Sequence, residues 1–152
     1  NLEEMRVAEG KKLEKDMLER GEVIKGFVAE ISERAPAVPK EYAERLKQRI
    51  ATLLEDATVA SEERIAVEAA IFADKCNIDE EITRLNSHME QMKKIIDEQG
   101  QPDGKRLDFL VQEMNREANT IGSKANDLSI TERMLKIKAE VEKIREQVQN
   151  IE

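Results

Sequence analysis

Three stretches in the second half of this 152-residue chain space their apolar residues in alternating steps of four and three. The first is Ile78, Ile82, Leu85, Met89, Met92 and Ile96. The second is Leu107, Val111, Met114, Ala118, Ile121 and Ala125, and the third runs Ile130, Met134, Ile137, Val141, Ile144, Val148 and Ile151. A mean step near 3.5 puts each set on one face of a helix, whereas a strand would need alternation every second residue. Each stripe must be covered by another apolar face. Three in succession therefore require helices packed on helices.

The first half reads as helix too. Leu2 to about Glu33 forms one long helix, with Met5, Leu13, Met17, Ile24, Phe27, Val28 and Ile31 on its apolar side. Gly10, Gly21 and Gly26 interrupt it, each costing about 1 kcal/mol against alanine in a helix interior. The segment Ala35–Pro39 is a breaker. A second helix is expected from Lys40 to Ala57, a turn at Thr58–Ser61, and a start at Ser61, whose hydroxyl can cap a first turn made acidic by Glu62 and Glu63. Asn77 with Glu80 makes another start signal, either a true break or a kink. Gln99–Gly104 is a loop with Asp103 as a cap, and Ser129 with Glu132 forms a capping box for the last helix. The expected fold is all-α: long antiparallel helices forming a helical bundle or coiled-coil-like assembly. Its expected organisation is an N-terminal long helical hairpin over 1–57 and a C-terminal helical region over 58–152, in one continuous unit.

Composition agrees with that architecture. Charged residues reach 38% and aromatic residues only 3%, so any core is built from Leu, Ile, Val, Met and Ala. Such a core buries little per residue, and self-association is a natural way to bury more. The net charge of −8 argues against a sequence-independent duplex binder, but leaves room for a local basic patch. One cysteine, Cys76, forms no internal disulfide, as expected of a reduced, cytoplasmic protein. No apolar run is long enough to cross a bilayer, so no membrane partner is expected.

The stretch Lys105–Lys124 carries more than its apolar stripe. Asp108, Gln112, Asn115 and Asn119 follow one another on one flank at helical spacing. Asparagine is a mediocre helix former, and a solvated face is better served by Glu, Lys and Gln. The amides therefore need something to bond: a partner helix, a ligand or a nucleic acid. Gln147, Gln149 and Asn150 near the C-terminus, beside Arg145, are an internal alternative. Glu113 and Glu117 lie one turn apart and can reach one hard cation, which prefers oxygen ligands. Such pairs are also ordinary solvated surface. His88, the only histidine, sits beside the stripe that carries Leu85 and Met89, on the flank of Glu81 and Arg84. It can share a metal or move a proton, or simply pair with a carboxylate. Lys105, Arg106, Arg116 and Lys124 can grip phosphate, or form salt bridges with the surplus of acids. No aromatic cluster lies beside them to stack bases.

Three segments carry a family resemblance: FADKCNIDEEITRLNSHMEQ, RLDFLVQEMNREANTIGSKAND and the terminal KAEVEKIREQVQNIE. Together they resemble the C-terminal signature of the YicC/YloC family of bacterial proteins, closely from Arg64 to Glu152 and less so from Asn1 to Glu63. The resemblance implies a cytoplasmic endoribonuclease that needs a divalent metal cation (Mn or Mg) and acts on RNA. It further implies a homo-oligomer, a hexamer, of chains with an additional N-terminal domain. Since the chain begins at Asn1 rather than Met, it is expected to be the C-terminal portion of a longer protein. In this reading Glu81, Glu113 and Glu117 hold the cation and His88 transfers a proton. Arg116 and Lys124 hold phosphate, with Lys105 and Arg106 also on the RNA side. The alternative is a helical oligomerisation or scaffold module, with the chemistry supplied by the N-terminal domain.

Overall fold

A computed structural model describes residues 1–54, 62–98 and 103–151. They form six helices: α1 (Leu2–Arg34), α2 (Ala37–Leu54), α3 (Glu62–Lys75), α4 (Asp79–Asp97), α5 (Gly104–Lys124) and α6 (Leu128–Ile151). No strand occurs among the described residues. The expected turn at Thr58–Ser61, its Ser61 cap and most of the Gln99–Gly104 loop lie outside them.

Helices α1, α4, α5 and α6 close a four-helix bundle in which α1 packs on α4 and α6, and α5 packs between α4 and α6. The cross-links give the directions. Arg20 reaches Glu140, Arg133 reaches Glu30 and Gln147 reaches Asp16, so α1 and α6 run antiparallel. Arg84 reaches Glu117 and Lys124 reaches Glu81, so α4 and α5 do as well. The stripes read from the sequence are the core. Every residue from Ile78 to Ile96, Leu107 to Ala125 and Ile130 to Val148 named above is buried, and Met17, Ile24, Val28 and Ile31 of α1 complete it. Leu2 and Met5 remain exposed, because α1 begins beyond the faces that cover its later turns. α1 runs unbroken through its glycines. At Gly21 a Cβ would meet the Met92 methyl at 3.2 Å, so this glycine lets α1 approach α4 closely.

Helices α2 and α3 pair with each other as an excursion between α1 and α4. Tyr42 stacks on Phe72 with ring centroids 3.9 Å apart, and Val38 and Phe72 join the pair to the main core. The proline segment does end α1, but α2 begins at Ala37, earlier than Lys40, because Pro39 suits a first turn that has no N–H to satisfy. α3 and α4 are separate helices. Asn77 accepts a hydrogen bond from the Asp79 N–H, and Cys76 sits half-buried at the junction, where burial pushes its thiol up.

Two start signals fared differently. Asp103 caps α5, accepting from the N–H groups of Lys105 and Arg106. For α6 the cap is Asp127 rather than Ser129: its carboxylate accepts from the Ile130 N–H. Ser129 lies inside the first turn and accepts from Arg133. Asp127 wins because it also takes a two-pronged bond from Arg34 of α1, which ties the cap to the bundle.

Candidate metal centre

The groove between α4 and α5 collects the polar residues of both helices. His88 lies one position before the buried Met89, and Glu113 one before the buried Met114, so each stands at the edge of its apolar stripe and faces the other helix. Glu117, one turn beyond Glu113, is 5% exposed. His88, Glu113 and Glu117 each offer a ligand atom, and these atoms all lie within 4.8 Å of one another. Ligands about 2.1 Å from one octahedral ion sit about 3 to 4.2 Å apart. Closing the set on a cation therefore asks for small rotamer changes, not helix movement.

The polar bonding of this cluster is incomplete. Both imidazole nitrogens of His88 are buried and have no hydrogen-bond partner among the described residues. A neutral imidazole always carries one N–H donor and one acceptor, and leaving such groups dry costs about 1–3 kcal/mol. Glu113 makes no hydrogen bond or ion pair among the described residues. One nitrogen and two carboxylates are a donor set that suits a divalent cation of the harder kind, and three protein ligands leave half of an octahedral shell open.

Arg84, placed by spacing on the flank of His88 but given no role there, joins the carboxylates. Its Nε lies 3.1 Å from Glu117 Oε1, and its other nitrogens reach Glu81 at 3.5 Å and Glu80 at 3.4 Å. The Glu117 bond, chiefly, raises its guanidinium pKa further above an already high value. Arg84 thus balances carboxylates that would otherwise repel one another. Its position four residues before His88 on one flank was the available signal.

Glu81 is not in the cluster. It is buried two turns from His88 along the groove, with Lys124 Nζ 2.7 Å from its Oε1. Burial drives this carboxyl up, but the bond from Lys124, a bond from its own backbone N–H and the nearby Arg84 outweigh it and hold the group below the usual range. Lys124 is therefore engaged with Glu81. Lys105 and Arg106 open α5 at its exposed N-terminal end, where Arg106 lies 3.5 Å from Glu98. Arg116 is exposed and makes no ion pair among the described residues.

The amide flank faces solvent. Gln112, Asn115 and Asn119 are all exposed, and Gln112 donates to Asp108 one turn back. Gln147 donates instead to Asp16 of α1, and among the described residues no hydrogen bond joins the two amide sets. The internal pairing considered for them does not form, because the outer faces of α5 and α6 diverge from their shared seam.

Fold and groove together define a class: an antiparallel four-helix bundle with an imidazole–dicarboxylate cluster between two adjacent helices, of a kind found where bundles build metal sites from facing helices. Residues 31–152 match the family described as Endoribonuclease YicC-like, C-terminal, and the chain belongs to that family. It is similar to the Probable endoribonuclease YicC of Clostridioides difficile (strain 630), at 48% identity over 151 residues. That alignment covers 99% of this chain and 51% of the relative. The protein of the same name from Haemophilus influenzae is 35% identical over 149 residues, covering 97% of this chain and 50% of its own length. The chain spans about half the length of these relatives. No helix among the described residues is long and apolar enough to cross a membrane.

Proposed function

We propose that the α4–α5 groove is the cation site of an endoribonuclease that cleaves RNA phosphodiester bonds with a divalent metal, Mn or Mg. The observation that carries this is the cluster of His88, Glu113 and Glu117 with both His88 nitrogens buried and unpartnered. The family name of the relatives supports RNA as the substrate. Glu113 and Glu117 would hold the cation, and His88 would complete its shell or, with the cation on the carboxylates alone, exchange a proton with a reacting oxygen. A bound divalent cation supplies charge neutralisation at the phosphate and a more acidic water. Arg84 holds Glu117 in place. Glu81 belongs to the support of the site, fixing Lys124 at the groove's end. Arg116 is exposed and without a carboxylate, and so available to RNA phosphate. Lys105 and Arg106 would meet RNA further along α5.

Assembly into a homo-oligomer belongs to the same proposal. Leu2, Met5 and Val7 on α1, and Leu53, Val67 and Ile71 on the α2–α3 pair, are large apolar side chains left exposed. These faces, and the amide flank of α5, favour contacts between chains. A cytoplasmic setting goes with the reduced Cys76.

The test is RNA cleavage. The protein at full length is incubated with Mn²⁺ and a structured RNA, alongside His88→Ala, Glu113→Ala and Glu117→Ala. Losing a carboxylate is expected to lower the rate at least hundredfold with assembly, read by light scattering, unchanged. Wild-type rates in all three variants would remove the cluster from the chemistry and leave this region as a scaffold.

A further inference from the structure

We propose that the cleft between α2 and the α5–α6 turn is a second contact for the RNA phosphate backbone, made through Arg45 and Arg49. This rests on the endoribonuclease reading and deepens it. The cleft has a volume of about 620 Å³ and is lined by Tyr42, Arg45, Gln48, Arg49, Thr52 and Asn126, among others. Arg45 and Arg49 stand one turn apart, so both guanidinium groups belong to the same face of α2.

What sets them apart is their place in a concavity without a direct ion pair, Arg45 feeling Glu41 and Asp127 only at longer range. In a chain of net charge −8, carboxylates are plentiful. Arg20, Arg34, Arg84, Arg106, Arg133 and Arg145 each hold one. Arg45 and Arg49 line a concavity and make no hydrogen bond or ion pair among the described residues. Glu41, one turn before Arg45, is held by Arg34 at 2.5 Å. α2 carries four bases, Lys40, Arg45, Lys47 and Arg49, against two acids, Glu41 and Glu44. It is a basic helix on an acidic protein.

The cleft's polar lining otherwise consists of amides and hydroxyls, which suit phosphate and sugar oxygens. One face of the Tyr42 ring is covered by Phe72. The grip is therefore on backbone rather than on stacked bases. Position matters as well. Asn126, in the left-handed conformation at φ 48°, turns the chain from α5 into α6 directly after the groove's end at Lys124. From Glu117 to Asn126 is about 13 Å along the axis of α5. A strand held at the cation cluster can continue past Lys124 into this cleft.

The test is salt-dependent RNA binding by fluorescence anisotropy, with a labelled structured RNA and the full-length protein. R45Q/R49Q is expected to weaken binding at least tenfold. It should also reduce the slope of log affinity against log salt by about 1.5, as two phosphate contacts are lost. R45K/R49K should keep most of that slope, and Mn²⁺ binding should stay at the wild-type level in both. If R45Q/R49Q binds RNA with wild-type affinity and slope while the wild type cleaves, the cleft proposal falls and the cation site stands. If the wild type binds no RNA at any salt concentration, the endoribonuclease reading falls and takes this proposal with it.

Discussion

One end of the α4–α5 groove and its middle both bury ionisable side chains and treat them in opposite ways. At one end, buried Glu81 is held by Lys124 and Arg84. In the middle, His88 has two buried nitrogens without a hydrogen-bond partner, and Glu113 has no partner either, among the described residues. The first arrangement is what a fold does with a buried charge: it supplies opposite charge, here with a hydrogen bond to Oε1, although Oε2 has no hydrogen-bond partner among the described residues. The second costs stability and offers the fold nothing in return. Such local conflicts with otherwise consistent packing are where function is expected. The α2–α3 pair repeats the contrast on the surface, since Arg45 and Arg49 make no direct ion pair among the described residues while Arg34 holds both Glu41 and Asp127.

The largest effect should come from breaking the charge-paired end. Lys124→Met leaves Glu81 buried with only Arg84 at 3.5 Å, and is expected to cost about 1–3 kcal/mol in urea unfolding. The double variant Glu81→Leu with Lys124→Met removes both charges, and should recover to within about 1 kcal/mol of wild type. A single variant as stable as wild type would mean that the pair does not hold the groove together.

A smaller effect is the pH dependence of the same end. The folded Glu81 carboxyl sits below its unfolded value, so its ionised form contributes stability that is complete above the unfolded pKa of about 4.3. That contribution is lost as pH falls from there through the lowered folded value. Glu81→Gln should therefore lose less stability than wild type between pH 5 and pH 3, and show no difference in slope between pH 6 and pH 8. Equal slopes in the acid range would show that Glu81 gains nothing from Lys124.

The same contrast marks what the sequence could disclose. Periodic apolar residues made the helices of the bundle legible, because burial follows directly from spacing. Asp103 was legible as a cap for a similar reason: the bond runs two or three residues along the chain. Asp127 was not chosen over Ser129, because the deciding partner, Arg34, lies 93 positions away in sequence. The engagement of Glu81 with Lys124 is a pairing of the same long-range kind. His88, Glu113 and Glu117 were each singled out, but that their ligand atoms converge follows only from the register of α4 on α5. The exposure of the amide flank follows from the packing of α5 against α6, which no single helix reveals.

The most direct measurement of the central claim is Mn²⁺ binding, followed by electron paramagnetic resonance of the free ion, in wild type, His88→Phe and Glu117→Gln. The account predicts one site per chain in wild type and at least tenfold weaker binding in both variants. It also predicts that His88→Phe, which replaces the unpartnered imidazole with an apolar ring, unfolds no earlier than wild type in chelator. Wild-type Mn²⁺ affinity in both variants would contradict it.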